Sequence, residues 1–202
     1  MYEHKIAKPD YPIHDLIAKR WSPYAFADRP VSETDLRSLF EAASWSASSY
    51  NEQPWRYIIA TNDNPPEFQR LLACLVEGNQ EWAKHVPVIG LGCTSLVFER
   101  NGKPNDAAVH DLGLASCTLT FEATARGLAV HQMIGILPDK AREVYHIPET
   151  VRPLTGLAIG YVGDIDSRPE KLRERDRAER TRKDLKEFVF EGEFGTPSRL
   201  GK

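Results

Sequence analysis

Sulfur is scarce in this chain: its 202 residues include three cysteines and two methionines. Cys74, Cys93 and Cys117 stand far apart, are odd in number and form no CxxC pair. That excludes a disulfide framework or a cysteine-built zinc site and leaves them as small apolar core residues in a reducing compartment. The six histidines show no ligand spacing and no HExxH, so no protein-held metal is expected. No window approaches the roughly 20 consecutive apolar residues of a transmembrane helix, so no membrane partner is expected. The net charge of −3, with no basic face, gives no reason to expect nucleic acid. The opening "MYEHKIAKPDYPIHDL" is too polar for a secretory signal, which predicts a cytoplasmic protein. GxxxxGK[ST] and GxSxG are absent, and "GLGCTS" at 90–95 matches GxGxxG only in part. Its glycines read instead as thinning a strand where another backbone approaches.

What is present describes a globular domain. Apolar residues make up 41% and charged residues 27%, and the length suffices to bury a real core. No repeat or low-complexity linker divides the chain, so residues 1–202 read as one domain. Ser32 has the position of an N-cap, with Asp35 at the capping-box position, Val31 and Leu36 spaced as a staple, and Leu36, Leu39, Phe40 and Ala43 at helical intervals. "WRYIIAT", 55–61, predicts a buried strand closed by "NDNPP". A helix from about Pro66 should bury Phe68, Leu71, Leu72 and Leu75 and stop at Gly78. Strands are expected at 86–94, 128–136 and 154–164, a long small-residue helix at 107–126 closed by Gly127, and a short helix from Pro138 towards His146. Residues 168–187 carry interleaved charges and read as a solvated helix or an extended arm, a connector rather than a docking site. The order of elements fits a sheet covered by helices, α/β or α+β.

Two polar clusters carry candidate chemistry. "KRWS" offers Arg20 and Ser22, the fork and hydroxyl that suit a phosphate dianion; a surface arginine and a turn serine is the competing reading. "SASSYNEQPW" places Ser48, Ser49, Asn51 and Gln53 before a buried strand, with Pro54 stiffening the junction. Those groups could meet the polar edge of a flat heterocycle, and they could equally form an ordinary loop. His131 and Gln132 read as buried strand residues with satisfied side chains, with the lining of a cleft as the alternative.

Taken together, "KRWSPYAFADRPVSETDLRSLFEAASWSASSYNEQPWRYIIAT", "HDLGLASCTLTFEATARGLAVHQMIGI", "LAIGYVGD" and "RTRKDLKEFVFEGEFG" resemble, in order, the motifs of the FMN-dependent nitroreductase family. The resemblance runs from about residue 13 to 197. It implies an α+β fold with a central mixed or antiparallel sheet flanked by helices, residues 168–202 forming an arm that reaches a partner subunit, and a homodimer with FMN at the interface. By resemblance, Arg20, Trp21 and Ser22 hold the FMN phosphate and ribityl end, and Arg180 and Arg182 complete that grip. Ser48, Ser49 and Asn51 would approach the flavin from the partner, with Gln53 close by, and Met133, Ile134 and Gly135 would lie along the ring. NADH or NADPH would reduce the flavin and leave, followed by a small-molecule acceptor such as a nitroaromatic or quinone, with no catalytic side chain required. Other flavin reactions of the fold (enone reduction, reductive dehalogenation, flavin fragmentation) and a redox-sensing role are the alternatives. Two positions depart from the family pattern. Tyr24 stands where a second cation is usual, which leaves Lys84 or Arg56 as candidate replacements, and Ala47 stands where a proline precedes the serine pair.

Overall fold

The run "WRYIIAT" is β-branched and aromatic, and it forms strand β1 (Trp55–Thr61) of a four-stranded sheet. A computed structural model of the chain describes residues 2–201. The other strands are β2 (Val88–Ser95), β3 (Ala129–Met133) and β4 (Val151–Gly160). Their order is β1-β2-β4-β3 and every pairing is antiparallel, so the sheet is antiparallel rather than mixed. The two inner strands are covered on both faces, and their sequences are accordingly almost wholly apolar or small. A register shift between Gly92 and Cys93 marks a bulge where β2 meets β4.

The period-2 alternation of the strands assigns side chains to two cores. Val88, Leu157 and Ile159 face helices α2 (Glu33–Ser44) and α5 (Ala108–Ala125), packing with Leu36, Leu39, Leu112 and Leu119. Ile89, Leu91 and Ala158 face the other way, towards Phe68 and Leu71 of α3 (Pro65–Leu72), Trp82 of α4 (Glu77–Ala83) and Ala141 of α6 (Pro138–Tyr145). Ala108, Ala115 and Ala123 are fully buried on α5, where small side chains permit the close approach of α2 and the sheet. The Ser32 cap forms as read: its Oγ accepts from the Asp35 N–H at 3.0 Å. Asp35 does not close the box on the backbone. Its carboxylate accepts the Ser32 hydroxyl at 2.7 Å and pairs with Arg126 at the far end of α5, which ties the two helices together. Gly127 follows α5 at φ +75°, the left-handed conformation that ends helices.

Several boundaries differ from the sequence reading, among them β4, which spans Val151–Gly160 rather than 154–164. Gly78 does not end a helix; α3 closes at Leu72 and Gly78 sits in the first turn of α4. β3 stops at Met133 rather than 136, because the Gly135 carbonyl turns to accept the Val76 N–H at 3.1 Å and Asn79 Nδ2 at 2.9 Å. Residues 168–187 do contain a largely exposed helix, α7 (Glu170–Arg177), as one of the two readings had it, but α7 is also docked on the N-terminal segment through its one buried residue. Asp176, 1% exposed, accepts the Tyr24 N–H at 3.0 Å and the Ala25 N–H at 2.9 Å. Lys5 caps the same helix, donating to the Arg175 carbonyl at 3.2 Å and the Ala178 carbonyl at 2.5 Å. Burial raises the Asp176 pKa, opposed by those two N–H donors and by Lys5.

Replacing Asp176 by alanine leaves two buried N–H groups without an acceptor, and the expected loss is about 2–4 kcal/mol of stability. Asp176→Asn keeps one acceptor oxygen and should lose less. Urea midpoints of the two variants decide the point; equal, negligible losses would remove Asp176 from this role.

Candidate functional site

The short helix α1 (Asp15–Lys19) ends at Arg20, whose backbone N–H closes on Leu16. The Arg20 guanidinium is half-buried and donates to Ser22 Oγ at 3.2 Å. From the opposite end of the chain, Arg180 donates to the Lys5 carbonyl at 2.9 Å and the Ala18 carbonyl at 2.6 Å, stapling the C-terminal segment over α1. Arg182 follows two residues on and bonds the Thr181 carbonyl. Arg20, Arg180 and Arg182 line one cavity of about 560 Å³, together with apolar walls from Ile13, Ile17 and Phe188.

The electrostatics of this cavity are one-sided. Among the described residues, none of the three arginines makes an ion pair with a carboxylate. Of the other charged groups in its wall, Lys8 is paired with Glu179 and Asp184 with Lys186, while Lys183 and Asp10 complete the set. The Arg20 pKa is lowered by burial and then by Arg182; that of Arg180 is lowered by burial and then by Arg20 and Arg182. Arg20 and Arg180 are partly desolvated, Arg182 is exposed beside them, and none of the three is ion-paired among the described residues, so positive charge exceeds the two wall acids Asp10 and Asp184; guanidinium forks beside a hydroxyl have the donor geometry that suits a phosphate.

Trp21 does not line this cavity. Its ring lies edge-on to Tyr2 at 5.9 Å and beneath Lys5 Nζ at 5.1 Å, and with Arg20 it borders a second cavity of about 390 Å³. Arg56 is occupied by the Gln53 and Trp55 carbonyls and by Glu99, and the backbone N–H of Lys84 closes α4. Arg175 of α7 donates to Tyr24 Oη at 3.2 Å, with its guanidinium 5.4 Å from the ring centre. His131 packs against Tyr24 and Trp82, with ring centres 4.7 Å apart in both cases. Its Nδ1 lies 2.9 Å from the Pro23 carbonyl, an acceptor, so Nδ1 carries the proton of the neutral ring. Burial lowers its pKa; the Pro23 bond opposes this, and Arg20 and Arg175 reinforce it. Gln132 donates to the Ser116 carbonyl and Thr120 Oγ1, but it is an exposed residue of β3, so its side chain is hydrogen-bonded without being buried as the sequence reading expects.

Ser48, Ser49, Asn51 and Gln53 lie in a loop built around a short 3₁₀ turn, Ser49–Asn51. Within one chain none of them lines the arginine cavity. The loop is rigidly held: Ser48 Oγ accepts the Gln53 N–H at 3.1 Å, and Asp111, 1% exposed in the first turn of α5, accepts the Ser49 N–H at 3.0 Å. Tyr50, Asn51 and Gln53 all have φ between 51° and 55°, a left-handed conformation costing each non-glycine residue about 1–2 kcal/mol. Met133 is buried, Ile134 is 75% exposed, and Gly135 is pressed so close to α4 that a Cβ would meet Asn79 Nδ2 at 2.5 Å. These three do not line the arginine cavity either. Sequence reasoning missed Asp111, Arg175 and Asp176; the only signal for them was an acid or base inside an otherwise patterned helix.

Residues 17–161 match the nitroreductase family, and the chain belongs to that family. A crystal structure described as an oxidoreductase containing FMN superposes with a TM-score of 0.88 at 32% identity, covering 97% of this chain and all of that one. An uncharacterized 15.4 kDa protein of Mycolicibacterium smegmatis is 37% identical over 90 residues, 45% of this chain and 60% of that protein. An FMN reductase [NAD(P)H] of Bacillus subtilis is 26% identical over 165 residues, 73% of this chain and 65% of that protein. The chain thus spans less than two thirds of the length of either of these two relatives.

Because His131 is held neutral, its folded pKa lies below its unfolded value. Its contribution is therefore present above about pH 6.5 and is lost as pH falls through the folded pKa. Urea midpoints should drop between pH 7.5 and 5.5, and part of that drop should vanish in His131→Gln. An unchanged pH dependence in the variant would exclude the imidazole as its source.

Proposed function

We propose that this chain is an FMN-dependent oxidoreductase that takes a hydride from NADH or NADPH and passes it to an organic acceptor such as a nitroaromatic or quinone. The observation that carries this reading is the cluster of Arg20, Arg180 and Arg182 without a counter-ion beside Ser22. Its donors fit a phosphate monoester, and its apolar flank suits what is attached to it. When bound, FMN supplies the hydride-accepting N5 and the redox chemistry, which no side chain of the chain can provide.

The residues of the chain then bind, orient and exclude water. Arg20, Ser22, Arg180 and Arg182 would hold the phosphate, with Trp21 flanking the ribityl end. Met133, Ile134 and Gly135 would lie along the ring, and the bonds that tie the Gly135 carbonyl to α4 fix that backbone in advance. Ser48, Ser49 and Asn51, with Gln53 close by, would come from a second copy. That placement is supported by the loop's absence from the arginine cavity of its own chain. A homodimer also accounts for large apolar side chains left in solvent, among them Ile134, Phe188 and Phe194, the last 96% exposed in the segment 168–202 that would form the arm. Among the described residues no helix is long and apolar enough to cross a membrane. We place the enzyme in the cytoplasm, as a single domain over 1–202.

The purified protein should be yellow, bleach anaerobically with NADH or NADPH, and recover its colour on adding a quinone or nitroaromatic. Colourless protein that also refuses added FMN overturns the reading. Arg20→Ala should weaken FMN binding by about 1.5–3 kcal/mol, the range for a hydrogen bond to a charged group. Fluorescence titration measures it, and unchanged affinity removes Arg20 from the phosphate grip. Sedimentation should give a dimer at micromolar protein, and a well-folded, flavin-loaded monomer would contradict the shared site.

A further inference from the structure

The connection between β2 and α5 folds back on itself between Phe98 and Lys103, with the Phe98 N–H on the Lys103 carbonyl and the Gly102 N–H on the Phe98 carbonyl. That turn sets Arg100 over two aromatic rings. Its guanidinium lies 4.5 Å from the centre of Tyr50 and 5.1 Å from that of Phe98, and the two rings meet edge-to-face at 6.0 Å. Tyr50 is 76% exposed and is aimed outward by its left-handed backbone. Among the described residues Arg100 makes neither an ion pair nor a hydrogen bond. The neighbouring acids are already engaged: Glu99 pairs with Arg56, and the Glu52 carboxylate accepts the Glu99 N–H.

The geometry points to a recognition platform, Tyr50, Phe98 and Arg100, for the 2′-phosphoadenosine end of NADPH, which would make NADPH the preferred reductant. This rests on the oxidoreductase reading above, in which Ser49 and Asn51, the neighbours of Tyr50, border the flavin. A dinucleotide whose nicotinamide meets the flavin runs outward past that border. The platform offers what its far end requires: the largely exposed ring of Tyr50, covered by Arg100 on one side only, for a purine, and a guanidinium without an ion pair for a dianion. The 2′-phosphate is the one group that distinguishes NADPH from NADH, so a cation with no internal partner at this point confers selectivity rather than general affinity. The braces on the loop, Asp111 to Ser49 and Glu52 to Glu99, hold the platform ready before the dinucleotide arrives.

Calorimetric titration of the purified protein with 2′,5′-ADP and with 5′-AMP tests this without turnover. The wild type should bind 2′,5′-ADP roughly tenfold or more tightly than 5′-AMP, the range of one charge-assisted contact. Arg100→Ala should abolish that preference, and Tyr50→Leu should weaken both ligands. Equal binding by the wild type overturns the proposal, as does a preference that survives Arg100→Ala or is lost instead in Arg20→Ala. In turnover, Arg100→Ala should raise KM for NADPH far more than KM for NADH, with kcat little changed; parallel changes with both would count against it. Colourless protein would defeat the oxidoreductase reading, while the nucleotide titration would still decide the platform.

Discussion

The clamp between residues 4–25 and 175–180 is the constraint on which the candidate site depends. Three guanidiniums, none of them ion-paired with a carboxylate among the described residues, repel one another, and a flexible chain would let them part. They stay together because each end of the chain is fastened by neutral or buried partners. Asp176 takes the Tyr24 and Ala25 N–H groups, Lys5 closes the last turn of α7, and Arg180 takes the carbonyls of Lys5 and Ala18. Arg180 therefore has two functions at once: it satisfies backbone acceptors at the end of α1, and it contributes positive potential to the cavity. A site made this way couples fold and ligand, since anything that loosens α7 also disperses the charge.

Much of this was legible before any coordinates. Ser32, the strand "WRYIIAT" and the alanines of α5 declare themselves through capping chemistry and periodicity, which are local and strong signals. Arg20, Ser22, Arg180 and Arg182 were legible as a set only through the order of motifs, because nothing in spacing alone says that residues 160 apart share a cavity. The segment 168–187 is legible as a solvated helix, but its docking is not. Its mean character is that of a solvated helix, but one residue, Asp176, is turned inward, and a single buried carboxylate does not alter a charge pattern. Gly78 misled in the opposite way: a glycine after an apolar run usually ends a helix, but here α3 had already stopped at Leu72. Arg175 beside Tyr24 was invisible because the contact joins elements 151 residues apart.

The loop at 48–53 illustrates how strain and bracing go together. Three non-glycine residues in the left-handed region would relax in an isolated peptide. Asp111 prevents this from below, through the Ser49 N–H, and Glu52 and Arg56 prevent it from the side by engaging Glu99. Asp111 is itself fixed because α5 is packed between α2 and the sheet. The position of a few loop donors is thus set by the hydrophobic core, several links away, and Ala47 can stand where a proline would otherwise stiffen the entry.

The lowered proton affinity of Arg20 and Arg180 has a reciprocal meaning. A neighbour that makes it harder to keep a proton on one guanidinium makes it correspondingly easier to place a negative charge beside both. In water this would be screened within about 10 Å at moderate ionic strength, and exposed arginines would gain little. Here burial is the largest cause of both shifts, so the fields of Arg20 and Arg180 are less screened than those of exposed arginines. The chain has built repulsion into its own folded state at one place and anchored it with hydrogen bonds that do not neutralise it. A ligand carrying negative charge would relieve that repulsion, which is what the proposed phosphate role asks of the cavity.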